Sequence, residues 1–163
     1  MQRTFDEFYA AIDKSNLIAG LAAQNLNLYQ GITLASIIQR EVAMPKGNEP
    51  SLDQKQVAQI FLKRLSIGMM LGSDVTYQYA ADKEGLERDT NLDSPYNTRR
   101  YTGLPPGPIS APGLTALVAV ANPAPGEYLF FLSGDDDVTY FGITEEDHQR
   151  NIEQHCAKKC LLL

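Results

Sequence analysis

A glutamate on the apolar side of a predicted helix is the residue of this sequence best suited to chemistry. The sequence predicts a helix from Leu34, and its apolar side continues through Ile37 and Ile38. Glu41 takes the next position on that side, seven residues after Leu34. Because burial of an unpaired carboxylate is costly, such a group either pairs with a cation or keeps its proton through a raised pKa. A glutamic acid that holds its proton near neutral pH can act as a general acid and then as a general base.

Periodicity alone leaves a structural role for Glu41 open. The residue lies near the predicted C-terminus of its helix, where it could pair with Arg40 or Arg64 and only border the core. No serine-nucleophile motif competes with it, since the sequence contains no Gly-x-Ser-x-Gly.

Three other groups of residues invite a chemical interpretation, and a structural one is favoured for each. The aspartates 135–137 suit a solvated hairpin turn better than a calcium site. His148 and His155, seven residues apart on one helical face, suit partly buried side chains better than a proton relay. His155, Cys156 and Cys160 do not complete a tetrahedral metal site, so no metal and no cofactor is expected. Two cysteines four residues apart on a helical face exclude a disulfide framework.

Composition and charge restrict the class of protein. The chain has 163 residues, 44% hydrophobic and 21% charged, which predicts one soluble globular domain. Its net charge of -6 and the absence of a basic stripe argue against nucleic acid as a partner. No run approaches the roughly 20 apolar residues that a membrane-spanning helix needs.

Helical and strand patterns predict an α+β fold, with helices packed on a small antiparallel sheet in a single domain, 1–163. An N-terminal helical segment, 1–30, precedes a core, 31–155, that contains Glu41. Turn residues accumulate between 69 and 107, where we expect a long irregular region. The other predicted elements are helices from Leu34 to about Ala43 (capped by Thr33), from Ser51 to Gly68 with Gln54 in a capping box, from Pro112 to about Ala121, and after Thr144, with a hairpin at 127–133 and 138–142.

Several blocks of the sequence resemble the endolytic murein transglycosylases, the MltG or YceG-like family. The run Ala35–Glu41 resembles the family's Ala-Ser-Ile-Val-Glu-Lys-Glu helix, and 57–71 is similar to the helix that follows it. The most specific block is Ser-Pro-Tyr-Asn-Thr at 94–98, followed by Gly-Leu-Pro-Pro-Gly-Pro-Ile at 103–109. With Leu-Gly-Ser-Asp-Val-Thr at 71–76 and shorter matches up to 151, the resemblance covers nearly the whole chain.

The resemblance implies a lytic transglycosylase, a lyase that cuts the β-1,4 bond between N-acetylmuramic acid and N-acetylglucosamine in nascent peptidoglycan strands. The C6 hydroxyl of the muramic acid attacks C1 and leaves a 1,6-anhydro end, so one glutamate can serve as acid and then as base. Glu41 aligns with the family's catalytic glutamate, whereas Gln39 replaces the earlier glutamate of the motif.

The same alignment predicts seven residues that line the cleft and bind substrate. Neutral hydrogen-bond groups there could hold acetamido and hydroxyl groups or stabilise the developing oxocarbenium charge. A scaffolding role stays open for them, in which Ser94 and Asn97 only cap turns. The seven residues are Ser73, Asp74, Thr76, Ser94, Tyr96, Asn97 and Thr98.

Two departures from the family pattern and two competing functions remain. Val75 stands where the family usually has proline, and 78–89 replaces a commoner Tyr-Gly-x-Gly stretch. A catalytically inactive glycan-binding scaffold for cell-wall synthesis is one alternative. A lysozyme-like hydrolase is the other, and it would need a second carboxylate, for which Asp74 is the nearest candidate.

The resemblance also implies a partner class and a location. We expect peptidoglycan glycan strands as the substrate, with cell-wall synthases as candidate partners. The membrane anchor and LysM-like module that usually precede this domain are not in the sequence. We therefore expect a soluble fragment of a protein that is anchored in the cytoplasmic membrane by a single span, with this domain on the extracytoplasmic side.

Overall fold

The computed structural model describes residues 16–43 and 45–162, and within these ranges six α-helices and a two-stranded sheet form the fold. In chain order the elements are α1 (Leu17–Ala23), α2 (Leu28–Glu41), α3 (Leu52–Ser66), α4 (Asp74–Glu84), α5 (Leu114–Ala121), β1 (Phe130–Ser133), β2 (Thr139–Gly142), α6 (Glu145–His155) and a 3-10 turn (Lys159–Leu162). The strands are antiparallel, with Phe131 opposite Phe141. The predicted α+β class with a small antiparallel sheet is confirmed.

The apolar helix α5 lies at the centre of the core. It packs against α1, α2 and α3, and five of its eight residues are at most 3% exposed. The close packing of α1 requires Gly20, because a Cβ there would come within 2.8 Å of the Ala121 side chain. Leu34, Ile37 and Ile38 of α2 are fully buried, so the predicted apolar side of this helix faces the core. Because this side of α2 is buried, the orientation of the helix is fixed, and with it the position of its last residue, Glu41.

The helix that carries Glu41 begins earlier than the sequence predicted. Its N-cap is Asn27, which forms a capping box with Gln30, and the prediction of Thr33 as the cap was wrong. Thr33 lies inside the helix and its hydroxyl donates to the Tyr29 carbonyl 2.9 Å away. The Asn-x-x-Gln capping box lies seven residues before Leu34, where the apolar run begins, so the apolar pattern alone does not mark the start of the helix. The predicted segment boundary at residue 30 therefore falls within α2, and residues 1–15 lie outside the described part.

A second correction concerns the region 69–107, which was predicted to be irregular throughout. It contains the eleven-residue helix α4, which Gly85 ends in the left-handed conformation (φ 68°). The helix buries Thr76, Tyr77, Ala80 and Ala81. Its buried side mixes polar, aromatic and small residues, so it shows little of the apolar periodicity from which a helix is recognised. The rest of the region is irregular, as predicted.

The C-terminal part contains the predicted hairpin and last helix. Thr144 and Asp147 form the predicted capping box of α6, and Ser51 and Gln54 form that of α3. The cysteines, however, form a disulfide with each other, Cys156–Cys160. The sequence excluded a framework of disulfides, but the expectation that both cysteines share a helical face was wrong, because α6 ends at His155 and Cys160 lies in the 3-10 turn. Among the described residues no helix is long and apolar enough to cross a membrane.

Candidate active site

A cleft of about 1260 Å³ separates two walls of the domain. One wall, called here the near wall, comprises Glu41 at the end of α2, with Gly72 and Asp74 at the start of α4 and Arg99. The other, called the far wall, comprises the hairpin β1–β2 with the start of α6, and includes Phe130, Glu145 and His148. Such a concave, mixed polar and apolar surface is where small-molecule and polymer substrates bind in most proteins.

Glu41 is the last residue of α2, and its partly buried carboxyl group lines the cleft. Ser73 donates a hydrogen bond from Oγ to Oε1 of Glu41 at 2.5 Å. Burial raises the pKa of Glu41 above its ordinary value, while the Ser73 hydroxyl opposes the rise. The negative charge of Asp74 raises this pKa further, and Arg99 and Arg40 lower it. A carboxyl group with a raised pKa that opens into a cleft is suited to donate a proton.

Ser73 is held in place by a buried network of hydroxyl groups. Its backbone N–H donates to Thr98 Oγ1 at 3.1 Å, and Thr98 Oγ1 lies 2.9 Å from Thr76 Oγ1. Thr76 in turn donates to the Ser73 carbonyl at 2.6 Å. Ser73 is the N-cap of α4, yet its hydroxyl makes no cap bond because it points to Glu41 instead. The network therefore fixes the one hydroxyl that touches the carboxyl group of Glu41.

Asp74 follows Ser73 and also lines the cleft, but its carboxylate is engaged. Arg99 forms a short hydrogen-bonded ion pair with it. The pair raises the pKa of the Arg99 guanidinium above its ordinary range. Arg99 lines the cleft as well, so this pair borders Glu41 as a nearly neutral unit.

The remaining predicted site residues do not line the cleft, and four of the five are buried. Asn97 is fully buried and donates to the carbonyl groups of Thr90 and Leu92 at 2.9 and 2.8 Å. Ser94 is 2% exposed and its Oγ accepts the N–H of Tyr96 at 3.3 Å. The Tyr96 ring packs on Tyr79 at 5.1 Å. Thr76 and Thr98 are likewise buried, so five of the seven residues shape the loops behind the near wall.

Comparison with known proteins supports the family assignment that the sequence blocks suggested. The profile of the YceG-like family matches residues 1–154. The chain belongs to the YceG-like family. Endolytic murein transglycosylases of Streptococcus pneumoniae and Bacillus subtilis are each 33% identical to it, over 98% and 82% of this chain. The chain spans about 30% and 36% of the lengths of these relatives.

A solved structure has the same fold. The crystal structure of a YceG-like protein from Listeria monocytogenes superimposes with a TM-score of 0.70 at 32% identity, and the match covers 85% of this chain and 44% of that one. The YceG-like fold of the domain is thus supported by both sequence and structure.

The far wall of this YceG-like domain contains groups that the sequence did not single out as site residues. Arg64, from α3, reaches the cleft with its guanidinium 5.5 Å from the Phe130 ring centre. His148 stacks on the same ring at 5.3 Å. Burial lowers the pKa of His148, so its imidazole is neutral at neutral pH. The sequence indicates Arg64 only as a possible partner for Glu41, because a basic residue in the last turn of a helix is ordinarily solvated.

The other sequence candidates have structural roles in the described part of the domain. Asp135 accepts the backbone N–H groups of Lys158 and Lys159 at 3.0 and 2.9 Å, and Asp136 accepts the Tyr140 hydroxyl at 2.8 Å. His155 stacks on Tyr140 with ring centres 3.7 Å apart. The acidic turn thus ties the hairpin to the 3-10 turn, and the two histidines pack on aromatic rings of the hairpin.

Proposed function

We propose that this domain is the lytic part of an endolytic murein transglycosylase, which cuts the β-1,4 bond between N-acetylmuramic acid and N-acetylglucosamine and leaves 1,6-anhydro ends. The observation that carries the proposal is a single carboxyl group, Glu41, that faces the cleft with a raised pKa and one fixed hydroxyl partner. The relatives named endolytic murein transglycosylase, of which this chain matches about a third, supply the reaction class.

The proposed reaction needs one proton donor that afterwards becomes a proton acceptor. Glu41 gives its proton to the glycosidic oxygen, the C1–O bond breaks, and N-acetylglucosamine leaves with a free 4-hydroxyl. The C6 hydroxyl of the muramic acid then forms a bond to C1 and returns its proton to Glu41. No water is consumed and the carboxyl group is restored. Because Ser73 occupies Oε1, the proton is transferred from Oε2 of Glu41.

The state of Asp74 favours this reaction over hydrolysis. A hydrolase requires a second carboxylate that is free to activate water or to attack C1. Asp74 is the nearest candidate, but Arg99 holds its carboxylate in an ion pair. Within the proposal, Asp74 and Arg99 adjust the charge around Glu41 rather than act as a nucleophile.

The other predicted substrate-binding residues contribute mainly through the backbone they support. Ser73 and Asp74 face the reacting group directly. The buried side chains of Thr76, Thr98 and Asn97 hold the loops that position these two. Ser94 and Tyr96 stabilise the loop between α4 and α5 in the same way.

An extracytoplasmic location belongs to the same proposal. The disulfide Cys156–Cys160 is typical of proteins in oxidising compartments. We propose that the parent protein is anchored in the cytoplasmic membrane with this domain outside, where peptidoglycan strands are made. Contact with cell-wall synthases would be a property of the whole protein.

The test is mass spectrometry of purified peptidoglycan after digestion by the domain and by two variants. The parent and Glu153→Gln, an exposed change on α6, are expected to produce 1,6-anhydromuramic ends, whereas Glu41→Gln is expected to produce none. Reducing ends from the parent would indicate a hydrolase. Binding of glycan without new ends from any of the three proteins would indicate the inactive scaffold.

A further inference from the structure

Arg64 is a buried cation that lines the cleft. It is only 9% exposed, and two of its nitrogens are fixed by backbone carbonyl groups. Nε donates to the Leu129 carbonyl at 2.8 Å, and Nη1 makes a short hydrogen bond to the Leu71 carbonyl. Gly72 must be glycine beside it, because a Cβ there would lie 3.2 Å from Nη1 and the backbone has a φ of +64°. The guanidinium is therefore rigidly placed at the far wall of the cleft.

No carboxylate of the described residues forms an ion pair with Arg64. Buried charges in proteins are ordinarily paired, and two more exposed cations of the cleft do have carboxylate partners. Arg99 pairs with Asp74, and Lys159 pairs with Asp137. Glu145 and Glu41 are near enough to act on Arg64 through space, but neither lies within ion-pair distance. Nη2 makes no hydrogen bond in the ranges 16–43 and 45–162.

His148, which shares the Phe130 ring with Arg64, is also incompletely hydrogen-bonded. Nδ1 of His148 is buried and has no hydrogen-bond partner among the described residues. His148 and Arg64 both contact the ring of Phe130, and the charge of Arg64 acts on His148 through space, so the two groups belong to the same part of the far wall. Buried polar atoms without partners are uncommon in proteins. This nitrogen, together with a buried guanidinium that has no carboxylate partner among the described residues, indicates a site that a ligand completes.

We infer that Arg64, with His148 beside it, forms a subsite for a carboxylate carried by the muramyl side of the glycan. The inference rests on the proposed function for the identity of the polymer. An unpaired guanidinium is the group that best recognises a carboxylate. Two carboxylates fit this chemistry: that of the lactyl group, which is free when the stem peptide has been removed, and those of the stem peptide itself. The exposed Glu145 at the edge of the subsite competes with such a ligand for Arg64.

The experiment measures glycan binding by calorimetry in the Glu41→Gln background, so that turnover does not consume the ligand. The ligands are a peptide-free muramyl glycan, the same glycan with stem peptides, and both again with their carboxyl groups amidated. Arg64→Met is expected to weaken binding of at least one carboxylate form about tenfold or more, the size of a lost charge-assisted hydrogen bond, and to change the amidated forms less than twofold. Glu145→Gln is expected to act in the opposite direction, tightening binding of the same form.

Matched variants make the outcome decisive. Lys63→Met removes a neighbouring cation of α3 that pairs with Glu127 outside the cleft, and it should change nothing. If Arg64→Met does not fold, Arg64→Lys replaces it, because lysine keeps the positive charge. The tighter binding expected with Glu145→Gln then still tests the subsite. A loss with only the peptide-free glycan identifies the lactyl carboxylate, and a loss with only the peptide-bearing glycan identifies the stem peptide.

Two results would overturn the subsite: equal losses for charged and amidated glycans, or no loss for either. The proposed function fails separately, since it depends on anhydro ends made by the parent domain. If the parent makes these ends but Arg64→Met affects charged and amidated glycans equally, only the proposed subsite is refuted. If Arg64→Met weakens binding of the charged glycans only, but the parent makes no anhydro ends, the proposed lytic activity is refuted and a glycan-binding cleft remains.

Discussion

The near and far walls of the cleft differ in how completely their polar groups are bonded. Behind the near wall the hydroxyl groups of Ser73, Thr76 and Thr98 are all bonded inside the protein. On the far wall, Arg64 has no carboxylate partner and a buried nitrogen of His148 has no hydrogen-bond partner within residues 16–43 and 45–162. A saturated network holds one reacting group in a fixed place, whereas unfilled donors and acceptors await a ligand. Under the proposed function and the proposed subsite, the near wall carries out the chemistry and the far wall recognises the ligand.

The largest effect is expected at the carboxyl group of the near wall. Glu41→Gln keeps the side-chain shape but removes the transferable proton, so the rate of bond cleavage should fall by about 100- to 10,000-fold. Steady-state assays on purified glycan strands would measure it, with Glu153→Gln as the control. A far-wall variant that lowers the cleavage rate as much as Glu41→Gln does, without weakening glycan binding, would contradict the assignment of chemistry to the near wall alone.

The second largest effect is expected on stability, from a substitution in the loop behind the near wall. Asn97→Ala removes two hydrogen bonds from a fully buried side chain, and the free energy of unfolding should fall by about 1–3 kcal/mol. Chemical denaturation would measure it. Asn91→Ala, an exposed change in the same region, should have an effect within about 0.5 kcal/mol. Equal effects of the two variants would show that the loop does not depend on this buried amide.

Ser73→Ala sharpens the role of the hydroxyl group at Glu41. The Ser73 hydrogen bond lowers the pKa of Glu41, so its loss should raise that pKa further. The rate should fall about tenfold or less, and the limb of the pH–rate profile at which Glu41 loses its proton should move to higher pH. Ser66→Ala, an exposed change on α3, provides the control. A limb that moves to lower pH would contradict the assigned direction of the hydrogen bond.

A smaller effect of the near wall is expected on the pH dependence of the free energy of unfolding of the domain. Glu41 has a pKa raised above its ordinary value of 4.5, so the folded domain binds its proton more tightly than the unfolded chain. The domain therefore loses stability as pH rises from about 4.5 through the folded pKa. Glu41→Gln removes this loss and should be more stable than the parent at pH 8, with the difference vanishing below pH 4.5. Thermal unfolding across pH would measure it, and a difference that grows toward acid would contradict the burial of the carboxyl group.

The sequence predicted the near wall better than the far wall, for physical reasons. Glu41 interrupts an apolar helical face, and such an interruption is visible in one dimension. The helices with Ser51 and Thr144 caps were also visible, because their capping boxes are local. The role of Arg64 depends on carbonyl groups that lie 65 and 7 residues away and on a ring from β1. The start of α2 and the helix α4 were misjudged, since a polar cap preceded the apolar run in one and the periodicity was weak in the other.

The central claim is that Glu41 drives bond cleavage without water as the nucleophile. The most direct measurement is digestion of peptidoglycan by the parent domain in water enriched in heavy oxygen, followed by mass spectrometry of the new ends. The account predicts muramic ends that are one water lighter than reducing ends and contain no heavy oxygen, and none of these ends with Glu41→Gln. One heavy oxygen atom in each new end would contradict it and indicate a hydrolase.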